Sequence, residues 1–138
     1  MDVKIAIDRI DISNFELRPM LKQIDLEKFQ IDISVQVTVS PEVQNIAFTV
    51  TNIGVKQYDG TEVYARLGVI IAYRVENFNE VFPIEEGKHV ILPEVHTLLT
   101  SISLSTTRGI LFSQLRGTYL HKAIIPVIDL TTLKPEAL

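Results

Sequence analysis

Three histidines, His89, His96 and His121, are the side chains most suited to metal binding or proton transfer, and their placement supports neither. They are too scattered to form a recognisable ligand set. His89 and His96 lie seven residues apart across a loop–helix junction, close enough to meet in space, but ordinary surface histidines are the favoured reading. Two carboxylate pairs, Glu85-Glu86 and Asp8/Asp11, would share a proton if buried together. On a loop or a strand they read instead as solvated acids. The chain has no cysteine, so thiol catalysis, thiolate metal sites and disulfides are excluded. It also has no nucleophile elbow, phosphate-binding loop or dinucleotide fingerprint. The expectation is a protein that is not an enzyme and uses no cofactor and no metal.

The residues left to do work are apolar. Phe78, Phe82 and Ile84 precede a long helical stretch, and Tyr119, Leu120, Ile124, Ile125 and Val127 follow it. If that helix lies across a sheet, both flanks fall near its ends and border one groove. Such a groove holds extended apolar or aromatic segments by burying area, at about 25 cal/mol per Å² of apolar surface. Phe78, Phe82, Ile84, Tyr119, Leu120 and Ile125 are therefore the candidate binding residues. The competing reading puts these side chains in the domain's own core. It is preferred for Ile124 and Val127, and stands level with the groove reading for Phe78, Phe82 and Tyr119.

The helix that would position them runs from about 93 to 116. Val95, Leu98, Leu99 and Ile102 follow i, i+3, i+4, i+7 spacing and share one side of a 3.6-residue turn. Pro93 suits a first helical position, Glu94 favours the positive end, and Arg116-Gly117 is a stop signal. Ser101, Ser105 and Gly109 recur every four residues, a ridge of small side chains that lets a second helix approach closely. These three are the candidate subunit interface; the alternative is that they let the helix lie flat on its own sheet.

Everything before the helix reads as strand. Phe29 to Val39 alternates apolar with polar residues, as a sheet with one wet face requires. Ile46 to Val55 forms another strand, with an irregularity expected at Gly54, and Asp59-Gly60 supplies a hairpin turn. From Glu62 to Glu76, Val63, Ala65, Leu67, Val69, Ile71, Tyr73 and Val75 line one face, while Ile70 and Ala72 make the second half apolar on both. In residues 3–17 the alternation slips phase twice: Val3, Ile5 and Ile7, then Ile10 and Ile12, then Phe15 and Leu17. Each slip predicts a bulge or a change of partner. Residues 18–28 form a connection, with one helical turn expected near Leu21 to Leu26. The predicted architecture is α+β: one domain over 1–138, with sheet at about 3–76, crossover loop 77–92, long helix 93–116 and extended return segment 118–128.

Hydrophobic residues make up 46% of the 138 and charged residues 22%, with a positive mean hydropathy of +0.23. A small chain this apolar needs an interface or a groove to house the surplus. No run reaches the roughly 20 residues of a membrane span. Asp2, Asp8 and Asp11 argue against a signal peptide, so a cytoplasmic protein is expected. Residues 1–94 hold 15 acids and 9 bases, a net of −6; residues 95–138 hold 2 acids and 4 bases, a net of +2. No basic stripe exists to follow nucleic-acid phosphates.

The segment Leu115 to Asp129, LRGTYLHKAIIPVID, resembles the end of the long helix in the SecB export chaperones. There an Arg-Gly-aromatic turn leads into an apolar, proline-containing stretch. The matching residues here are Arg116-Gly117-Thr118-Tyr119 and Pro126-Val127-Ile128. The order of elements extends the likeness from about residue 3 to about 133. The resemblance implies a four-stranded antiparallel sheet with a long helix across one face, and a homo-oligomer built as a dimer of dimers. It implies an ATP-independent holdase for unfolded preproteins, with the SecA motor as a further partner. A second group with this fold protects the antitoxin of a toxin–antitoxin pair. Where the family pattern continues with a further helix and a mobile tail, Asp129 to Leu138 remain here, and a helical lid and tail-mediated motor binding are not part of what the resemblance implies for this sequence. Outside the resemblance, a structural assembly module would use the same apolar surfaces to build a fixed complex.

Overall fold

The computed structural model describes residues 2–19, 29–40, 45–58 and 62–127. Four strands, β1 (Ile5–Leu17), β2 (Phe29–Val39), β3 (Ile46–Gln57) and β4 (Val63–Val75), form one antiparallel sheet in the order β1-β4-β3-β2. The crossover holds a short helix, α1 (Phe78–Val81), and a hairpin of β5 (Ile84–Glu85) and β6 (Lys88–His89). The hairpin turns on Glu86 and Gly87, whose φ values of 51° and 78° are the left-handed pair a tight two-residue turn needs. The long helix α2 spans Pro93–Leu115. Gly117 at φ 79° then turns the chain back, and the Thr118 amide and hydroxyl both donate to the Leu115 carbonyl. The expected turn near Leu21 to Leu26, the Asp59-Gly60 hairpin and the chain after Val127 lie outside the described residues.

Residues opposite one another on neighbouring strands share a face, so the register assigns each side chain. Rows crossing from β2 to β1 read Val37–Thr49–Ile71–Ile10, Val35–Thr51–Val69–Ile12 and Ile33–Ile53–Leu67–Phe15. These belong to the face on which α2 packs. The phase slips in β1 are bulges, between Ile7 and Arg9 and between Ile12 and Asn14. Their effect is to bring Ile5, Ile7, Ile10, Ile12, Phe15 and Leu17 all to the helix side. The second bulge sends Ser13 and Asn14 over Gly68 of β4, where a Cβ would collide with both side chains. In β3 and β4 the irregularity lies between Val55 and Lys56, one step beyond Gly54, and Tyr64 is the extra residue.

The buried line of α2 is Val95, Leu99, Thr100, Ser103, Leu104, Thr107, Leu111 and Leu115. Leu98, expected on that side, is exposed, and Ile102 is half-buried. Hydroxyls take the middle of the seam. Thr51 hydrogen-bonds Ser103, Thr49 hydrogen-bonds the Tyr73 hydroxyl at 3.0 Å, and that hydroxyl lies 3.5 Å from the Leu99 carbonyl. The Thr100 and Thr107 hydroxyls are buried with no partner. Burial raises the Tyr73 phenol above its usual pKa, against the opposing effect of its bond to Thr49. The unfolded chain's tyrosine ionises near pH 10, so this residue's contribution is complete below that pH and falls as pH rises past it.

The Thr51–Ser103 pair gives a stability prediction. Ser103→Ala alone strands a buried Thr51 hydroxyl and should cost about 1–3 kcal/mol. Adding Thr51→Val should return part of that loss. Urea denaturation of the four proteins of the cycle measures the coupling, and purely additive losses would contradict the bond.

Candidate functional site

α2 lies over β2, β3 and β4. The inner face of β1 is left open: Ile7, Ile10 and Ile12 are 46%, 43% and 44% exposed, and Leu17 is also exposed. β1 is an edge of the sheet, so the outer side of its backbone has no strand neighbour among the described residues. An apolar strip and a row of peptide groups with no strand partner among the described residues therefore occur on the same 13 residues. Charges on β1 keep to its other face. Asp8 pairs with Arg74 at 2.5 Å and Asp11 with Arg9 at 2.7 Å, so these two acids are ion-paired at the surface, not joined in an acid–base dyad.

The outward face of α2 is a second unusual surface. Thr97, Leu98, Ser101, Ser105, Gly109, Phe112, Ser113 and Gln114 are exposed there. Arg108 is the one charged residue from Val95 to Leu115, setting aside His96. Its guanidinium is committed to the return segment, donating to the Ile125 carbonyl at 2.9 Å and the Pro126 carbonyl at 3.0 Å. Ser101, Ser105 and Gly109 thus form an open ridge pointing away from the sheet, and a Cβ at Gly109 would meet nothing within 4 Å. That placement removes the alternative in which they let the helix lie flat on its own sheet.

The loop residues expected to bind divide unequally. Phe78 and Phe82 are buried, with rings 5.1 Å apart, because α1 coils 78, 81 and 82 onto one inward side. Leu120 and Ile125 are buried with Ala123, held where Arg108 fastens the return segment. These four fill the core and present no surface to a ligand. Tyr119 is half-buried, its hydroxyl donating to the Arg18 carbonyl at 2.6 Å, and burial is the main cause of its raised pKa. Ile84 is 59% exposed on the hairpin. Ile124 and Val127, expected inside, are outside, Val127 at 93% exposure. The strip of Ile7, Ile10 and Ile12 has no plain signature in the sequence, because the phase slips hide that all three share a face. Phe112 and Leu98 had a legible signal in the missing charges around them.

The histidines do not meet as a metal site. His89 donates from Nδ1 to the Phe82 carbonyl at 2.8 Å and sets its ring edge-on to Phe78. His121 donates from Nδ1 to the Thr118 carbonyl, and His96 is buried. No metal-binding cluster of acids and histidines exists among the described residues, nor is any helix there long and apolar enough to cross a membrane.

No protein-family model and no curated protein matches the sequence. In structure the chain is similar to the SecB-like chaperone of Mycobacterium tuberculosis, solved in complex with a peptide from the HigA1 antitoxin. The likeness covers 91% of this chain and 90% of that one, with 10% identity and a TM-score of 0.55. The sheet with its long helix is therefore the SecB-like fold.

Phe82→Ala should cost about 3–5 kcal/mol, as cavity-forming losses of buried aromatics do. Ile84→Ser should leave stability within about 0.5 kcal/mol. Thermal or urea unfolding of the two variants checks both, and equal stabilities would mean Phe82 is not a core residue.

Proposed function

We propose that the chain is a chaperone that holds an extended, apolar-rich segment of a client polypeptide, with an antitoxin as the client class, and that it performs no catalytic step. The observation that carries this reading is the open strip of Ile7, Ile10 and Ile12 on an edge strand. A client segment adding to that edge gains main-chain hydrogen bonds, and every second side chain meets the isoleucines. Apolar contact on this scale is tolerant of sequence, and capture of the unfolded form keeps it from aggregating by mass action.

The antitoxin peptide bound to the structurally similar mycobacterial chaperone supports the choice of client. It sets the antitoxin reading ahead of general preprotein export, which rests on the sequence resemblance alone. The reading includes a homo-oligomer in the cytoplasm. Its helices would meet along Ser101, Ser105 and Gly109, a ridge whose small side chains permit close approach and whose lack of charge suits burial.

Two measurements test it. Ile10→Ser with Ile12→Ser should weaken client capture by roughly thirtyfold, about 2 kcal/mol for two half-buried contacts. Light scattering during unfolding of two unrelated proteins, and binding of an antitoxin peptide, both read this. Undiminished capture by the double variant would reject the strip as the binding surface. Gly109→Leu should lower the sedimentation coefficient by blocking helix approach, and an unchanged oligomer would reject the ridge as the interface.

A further inference from the structure

We draw no further inference here: the strongest candidate, the apolar patch of Phe48, Val50, Ile70 and Ala72 on the sheet face opposite α2, carries nothing, because the charges beside it on β1 are already paired, Asp8 with Arg74 and Arg9 with Asp11, and nothing in the structure shows what covers it.

Discussion

A four-stranded sheet presents an inner face about 19 Å wide, and one helix with its side chains covers only about 10 Å of it. That mismatch of widths governs the rest of this molecule. The sequence supplies apolar residues for the whole inner face, row by row from β2 to β1, but a single helix to roof them. α2 settles over β2, β3 and β4, and the crossover and return segments close the two ends of the core with Phe78, Phe82, Leu120 and Ile125. The strand left over is β1. Ile7, Ile10 and Ile12 face the right way and no described element covers them, so much of the apolar surplus visible in the composition appears on the surface here and along the outer side of α2.

Residue pattern revealed most of this architecture and concealed part of the site. The alternation of β2, the long apolar face of β4 and the punctuation of α2 by Pro93 and Gly117 are local signals, and the structure follows each of them within a residue or two. The slips in β1 predicted bulges correctly. Which side the displaced isoleucines would take was not legible, because a bulge shows only that the phase changes and the partner strand decides the face. Phe78 and Phe82 could not be told from groove residues by composition. Their burial follows from a single turn of helix at α1, too short to leave a periodic trace. Ile124 and Val127 went the other way, since an extended segment anchored through Ile125 must turn its neighbours outward.

The seam between α2 and the sheet carries a related lesson. Its centre is Thr49, Thr51, Thr100, Ser103 and Thr107, which a hydropathy reading assigns to solvent. They are small enough to let helix and sheet approach; Thr51 and Ser103 hydrogen-bond across the gap, and Thr49 bonds Tyr73 within the sheet. The apolar Leu98 is displaced outward as a consequence, to join the uncharged ridge. Polar residues inside and apolar residues outside are thus two results of one rotation of the helix about its axis.

An uncovered, greasy edge strand is ordinarily an invitation to endless sideways stacking, the first step towards a fibril. The two bulges in β1 answer that hazard. Each interrupts the regular spacing of amides and carbonyls and bends the strand, so a visitor can zip up for only the four or five residues between interruptions. In the proposed chaperone role a segment of that length would be held and later released, whereas a flat strand of thirteen would template copies of itself. The same irregularities that gather the isoleucines on one side also keep the surface they form from becoming a seed for aggregation.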